Sequence, residues 1–214
     1  IASRGLGDVY KRQVLDADAD TTITADTDDQ IDIKIAGSDK LVISSTSHLS
    51  TTTAGTNNFV LGLNAGNSIA SGGNQNVCIG DEAGTAITTG DNNTFVGMTA
   101  GATVATNSDN TAVGAFALDA GTGDGNIAIG AGALGGSSYS ANNNLAIGVD
   151  AGNSLTSGTL NNFVGYQAGK AMTTGTSNTL IGYQAGLTLN TGGSNVAVGA
   201  NALDAEDDLS LIHI

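Results

Sequence analysis

The 214-residue chain sets 20 acidic residues against 6 basic ones, a formal net charge of −14, and it holds 32 glycines but no proline or tryptophan. So acidic a balance repels a phosphate backbone and an anionic lipid surface, since binding either needs lysine and arginine to displace counterions. No run of about 18 apolar residues is present to cross a bilayer as a helix. One cysteine, Cys78, leaves no disulfide framework and no cysteine metal site.

In chain order, the two ends come first. Leu209 to Ile214 back-translates as CTG TCT CTT ATA CAC ATC, and the reverse complement of that string reads Asp-Val-Tyr-Lys-Arg-Gln, the residues at Asp8 to Gln13. Ends that encode each other's reverse complement point to an adapter joined to both ends of a DNA fragment. Residues 1–13 and 209–214 are therefore expected to be sequencing-adapter read-through and are set aside from fold reasoning. That leaves Val14 to Asp208, expected to be a fragment of a longer gene. In it 19 acidic residues face 3 basic ones (Lys34, Lys40 and Lys170), a net charge of −16.

Residues 14–55 read as an acidic strand and hairpin region that caps the repeats C-terminal to it. Ile31, Ile33 and Ile35 alternate with Asp32 and Lys34, a half-buried strand. Gly37-Ser38-Asp39 turns the chain, and Leu41-Val42-Ile43 returns it. Asp16, Asp18 and Asp20 mimic the start of a calcium loop, but Thr21 stands where that loop needs glycine and Thr27 where it needs glutamate. A solvated acidic edge is the better reading.

Residues 56–208 carry nine repeats of Asn-x-apolar-apolar-Gly-x-x-Ala. The glycines are Gly62, Gly80, Gly97, Gly114, Gly130, Gly148, Gly165, Gly182 and Gly199, spaced 16 to 18 residues apart. Four residues before them stand Asn58, Asn76, Asn93, Asn110, Asn126, Asn144, Asn161, Asn178 and Asn195. Three residues after them stand Ala65, Ala83, Ala100, Ala117, Ala133, Ala151, Ala168, Ala185 and Ala202. Glycine, asparagine and threonine in such abundance could signal disorder; the regular spacing decides for order.

Such a repeat is too short for a helical hairpin. The pre-glycine residues, from Leu61 and Ile79 to Ile181 and Val198, are nearly all β-branched, which favours strand. Clusters such as Ser71-Gly72-Gly73-Asn74 read as turns. A short strand plus turns per repeat is one coil of an all-β solenoid, a β-roll of nine coils of about 17 residues. Coils stack about 4.8 Å apart, so nine make a rod about 40 Å long.

Position suggests roles. The glycine ends the strand where the backbone bends, at positive φ or in close approach to a neighbour. The asparagines stack into a hydrogen-bonded ladder, and the alanines fit a crowded inner corner. The β-branched file is expected to fill the coil interior. The mid-strand file, two before each glycine (Val60, Cys78, Phe95, Ala112, Ala128, Ala146, Phe163, Leu180 and Ala197), then points the other way. A strand apolar on both faces needs a second surface as cover. Other copies of the chain around a shared axis are the simplest one.

Chemistry-bearing residues are few. Gly130-Ala131-Gly132-Ala133-Leu134-Gly135 fits a dinucleotide fingerprint in spacing, but Gly136-Ser137-Ser138-Tyr139 stands after it in place of a helix, and the glycines belong to the repeat. His48, the only histidine before the C-terminal adapter stretch, has no partner spacing for metal or acid–base work. Cys78 reads as a small buried hydrophobe. Tyr166-Gln167 and Tyr183-Gln184 recur one coil apart, a structural stripe that could also stack on a glycan. No catalytic residue, cofactor or metal is expected, and the chain reads as non-enzymatic.

Leu15 to Lys34 resembles a segment frequent in structural proteins of marine tailed phages. Asn110-Thr111-Ala112-Val113-Gly114-Ala115-Phe116-Ala117-Leu118 and Gly182-Tyr183-Gln184-Ala185-Gly186 resemble the repeats of tail-fibre proteins. The Asn-x-Ala-Val/Ile-Gly unit is also similar to the head repeats of trimeric autotransporter adhesins, whose own repeat is shorter. These resemblances imply a trimeric, extracellular fibre: a virion shaft that spaces or presents a receptor-binding tip, with a homotrimer as partner and a receptor or glycan engaged by other regions. A bacterial surface adhesin is the alternative. Ice binding would need threonine in ranks, and Val77, Ile127, Leu145 and Asn162 interrupt the file of Thr94, Thr111 and Thr179.

Overall fold

The computed structural model describes residues 53–136 and 140–204, together with five strands nearer the N-terminus. The calcium-loop mimic at Asp16, Asp18 and Asp20, His48, and both adapter stretches apart from Arg12 and Gln13 lie outside the described residues. Contacts divide the chain into an N-terminal unit and a repeat unit.

The N-terminal unit is an antiparallel sheet in sequence order: β1 (Arg12–Val14), β2 (Thr22–Ala25), β3 (Ile31–Ile35), β4 (Ser38–Ile43) and β5 (Leu49–Ser50). The hairpin expected from the isoleucine alternation is β3–β4, pairing Ile31 with Ile43 and Ile33 with Leu41. Ser38 and Asp39 already belong to β4, so the connection is tighter than a turn at 37–39, and the register shifts between Ile33 and Lys34.

The repeat unit is a parallel β-solenoid. Nine three-residue strands form one sheet in sequence order: β6 (Phe59–Leu61), β7 (Val77–Ile79), β8 (Thr94–Val96), β9 (Thr111–Val113), β10 (Ile127–Ile129), β11 (Leu145–Ile147), β12 (Asn162–Val164), β13 (Thr179–Ile181) and β14 (Val196–Val198). From β7 to β14 every pair is in register, mid-strand residue to mid-strand residue, as Ala146 with Phe163. Each strand bonds both ways: Leu145 N–H donates to the Asn161 carbonyl of the next coil at 2.8 Å, and Gly148 N–H to the Ile129 carbonyl of the previous one at 2.7 Å.

The glycine file explains why the strands stop. From Gly62 to Gly199 its φ runs between +127° and +145°, a region essentially confined to glycine. The backbones also touch there: a Cβ on Gly148 would lie 2.3 Å from the Gly165 carbonyl oxygen. Both reasons for glycine hold at once.

The two faces of the strand are the reverse of the sequence expectation. The mid-strand file points inward: Cys78, Phe95, Ala112, Ala128, Ala146, Phe163, Leu180 and Ala197 are fully buried. The β-branched pre-glycine file points outward, half-buried or exposed along its whole length. The reason is parity. Strand neighbours alternate in facing, so the mid-strand residue shares its side with the asparagine two before it, and the asparagines are buried.

A coil this thin fills its interior by exchanging volume between corners. Where the mid-strand residue is phenylalanine, the residue after the file alanine is glycine: a Cβ on Gly101 would meet the Phe95 ring at 2.6 Å, and one on Gly169 would meet Phe163 at 2.5 Å. Opposite Ala112, Ala128 and Ala197 that position is instead Leu118, Leu134 and Leu203, all buried. Their φ is +51°, +48° and +58°. Holding leucine there costs about 1–2 kcal/mol, comparable to what burying the side chain returns.

One left-handed leucine has no such return. Leu160, at φ +61°, is 55% exposed at a position held by Asn57, Asn92, Asn143 or Gly125 in other coils. Leu160→Asn is expected to raise stability by about 1 kcal/mol through relief of strain. The urea midpoints of the two chains measure it, and an unchanged or lower midpoint contradicts the assignment.

Candidate functional site

Two side-chain ladders run along the stack in opposite senses. In the inner one each asparagine oxygen from Asn76 to Asn178 accepts twice from the next coil: Asn93 N–H and Asn93 Nδ2 each donate to Asn76 Oδ1 at 3.0 Å. The other amide hydrogen bonds a turn carbonyl, as Asn161 Nδ2 donates to Gly175 O at 2.8 Å. Burying an amide is costly unless its groups are paired; here the pairing is what joins coil to coil.

The outer ladder stands six residues before the glycines from Gly62 to Gly148, at a position with no single recurring residue. Thr56 N–H donates to Asn74 Oδ1 at 2.9 Å, Asn74 N–H to Asp91 Oδ1 at 2.7 Å, Asp91 N–H to Ser108 Oγ at 3.0 Å, and Ser108 N–H to Asp124 Oδ1 at 2.8 Å. Asp124 N–H continues it to Asn142 Oδ1 at 2.7 Å. In this ladder the acceptor lies on the following coil. Sequence reasoning missed it, although a signal is present: Thr56, Asn74, Asp91, Ser108, Asp124, Asn142, Thr159 and Thr176 are all short side chains with an oxygen acceptor.

Burial pushes the Cys78 thiol up to about 12, so at neutral pH it is a protonated, inaccessible filler beneath Gly84. Burial also raises the Asp119 carboxyl above its usual range, against the lowering effect of backbone hydrogen bonds, and its Oδ1 is buried with no hydrogen-bond partner. The folded chain thus holds that proton more tightly than the unfolded one, so this group's contribution to stability falls as pH rises through its folded value. Lys170 Nζ lies 3.0 Å from Asp150 Oδ2, a partly exposed pair worth at most about 1 kcal/mol. Among the described residues no three metal-ligating side chains converge. The dinucleotide-like spacing at Gly130 to Gly135 sits in the repeat turn.

What the fold does present is a face. Three outward files lie side by side: the strand-entry residues, the pre-glycine residues and the residues just past the glycine. Val113, Ile127, Ile129, Ile147 and Ile181 are each 36–39% exposed, and Leu61, Leu63 and Val198 more so. In these three files only Asp81 is charged. At about 4.8 Å per coil and about 3.3 Å per residue the band covers on the order of 500 Å², the upper end of what soluble monomers leave bare. Tyr166 and Tyr183 belong to its third file, their rings stacked at 5.4 Å and 12°. Beside them Gln184 Nε2 donates to Gln167 Oε1 at 3.0 Å.

The strand-entry file, Thr94, Thr111 and Thr179 included, faces outward, with Ile127, Leu145 and Asn162 between Thr111 and Thr179. The sequence expected an apolar outer face; the structure assigns that face to different residues. Comparison with known proteins found no family model, no curated protein and no solved structure that matches the chain.

Proposed function

We propose that the chain is a shaft segment of an extracellular virion appendage, a tail fibre, in which three copies dock through their outer strand faces and space a receptor-binding tip from the particle. The observation that carries the reading is the nearly uncharged, β-branched band on a chain of net charge −14. Apolar surface of that extent is favoured out of water. The occupant best fitted to it is a second copy, because only a surface with the same rise per layer can sit on all nine coils without drifting out of step. The trimeric state and the virion setting come from the resemblance of the repeats, and a stack of coils that each lean on their neighbours suits a spacer.

Light scattering of the full chain tests this. A mass near three times the 21.0 kDa chain is expected, and Ile129→Lys with Ile147→Lys is expected to give a monomer whose strand circular dichroism is unchanged. A folded wild-type monomer at all concentrations would defeat the reading, as would a trimer indifferent to both lysines.

A further inference from the structure

We propose that the stacked pair Tyr166 and Tyr183 sets the register in which copies of this chain dock, an inference that rests on the docked-copy reading. The difficulty it resolves is inherent in a repeat. Nine near-equivalent coils present nearly the same face after a slide of one coil, and the pre-glycine file is β-branched at every coil beyond the first. A slid copy would therefore keep almost all its contacts, and register is weakly specified on so uniform a surface. The contact in a closed three-fold ring carries no slide along the axis, whereas the same head-to-tail contact with a one-coil slide fails to close and propagates into open fibres. Some feature of the face must mark the layer.

The file just past the glycine varies most in bulk, from Ala115 and Ala131 to Tyr166 and Tyr183. Its two rings stack on each other, are 44% and 52% exposed, and form a block two coils tall between Val149 and Ala200. The amide ladder from Gln184 to Gln167 links the same two coils one residue further on. In register, both ring layers of one copy meet both ring layers of its neighbour. A slide of one coil sets Tyr183 against Ala200 and Tyr166 against Val149 on the outer layers, and only one ring layer still coincides. Aromatic contacts have preferred geometries beyond area burial, so the loss falls on the slid state alone.

Cross-linking reads the register. On a Cys78→Ala background, Ile147→Cys and Val164→Cys chains with different tags are co-expressed and oxidised. A disulfide needs Cα atoms within about 7 Å, and a one-coil offset adds about 4.8 Å along the stack. Links between like positions are expected, with mixed links at background. Adding Tyr166→Ala and Tyr183→Ala is expected to raise mixed links at least tenfold while the oligomer persists, and Tyr166→Phe with Tyr183→Phe is expected to keep them at background. Mixed links as abundant with the tyrosines intact, none with the alanine pair, or an oligomer without like-position links would overturn the proposal. A monomer in light scattering would instead remove the docked-copy reading, and this proposal with it.

Discussion

Gly148→Ala is expected to lower the stability of the solenoid by about 3–5 kcal/mol, the combined cost of forcing alanine into a glycine-only conformation and of overpacking. At φ +136° the new methyl would stand 2.3 Å from the Gly165 carbonyl oxygen and 2.6 Å from its carbon. Neither atom can step aside, because that backbone is itself bonded: Gly165 N–H donates to Ile147 O, and Gly182 N–H to Val164 O. Gly199→Ala supplies the control. Its φ is +134°, yet the nearest atom to the new methyl is the Ala202 Cβ at 3.9 Å, so only the torsional part, about 1–3 kcal/mol, remains. Urea unfolding monitored by far-ultraviolet circular dichroism compares the two. Equal losses would mean that close approach between coils is not what the file protects.

The second large effect is expected at the inner ladder. The Asn161 side chain makes four hydrogen bonds: it accepts from Asn178 N–H at 2.9 Å and Asn178 Nδ2 at 3.1 Å, and donates to Asn144 Oδ1 at 3.1 Å and Gly175 O at 2.8 Å. Asn161→Ala removes the side-chain partner of a backbone N–H and of a turn carbonyl inside the coil. At about 1–3 kcal/mol for each group left unsatisfied, the loss is expected to be about 3–5 kcal/mol. Asn161→Asp separates acceptance from donation. Its carboxylate keeps both accepted bonds but turns an oxygen toward Gly175 O and Asn144 Oδ1, and it is desolvated. Its folded pKa is therefore raised above the unfolded carboxylate value. The deficit relative to wild type is smallest below the unfolded value, where the protonated acid still donates one bond in place of two, grows as pH rises, and levels off above the folded value. Urea midpoints of the aspartate chain that do not recover on acidification would contradict the donor role.

Much of the fold was legible because a coil repeats its constraints. Gly62, Gly80 and their successors recur because each meets the backbone of the next, and the asparagines recur because each completes the next one's bonding. Periodicity shows that a position is constrained, but not which side of the strand it faces. Residues such as Ile147 and Ala146 are both apolar, and size suggested that the larger filled the coil. Facing decides instead: Ala146 shares the buried side of Asn144, and the bulk around it comes from Leu134, Leu155 and Phe163. Counting by twos from the buried asparagine gives the correct side, an inference available in the sequence alone. The outer ladder escapes a sequence reading for a different reason. Thr56, Asn74, Asp91 and Ser108 differ in name and share only a short oxygen-bearing side chain, so a search for identical letters passes over them.

The winding of the chain also bears on how such a stack would carry tension. A coil of about 17 residues has a contour length of roughly 55–60 Å but adds only about 4.8 Å of height. Peeling one layer from an end therefore releases more slack than the height of all nine coils. Because the backbone and ladder bonds join neighbouring layers, a pull can undo the terminal layer while the others hold. Overload is then taken up as stepwise lengthening before anything parts.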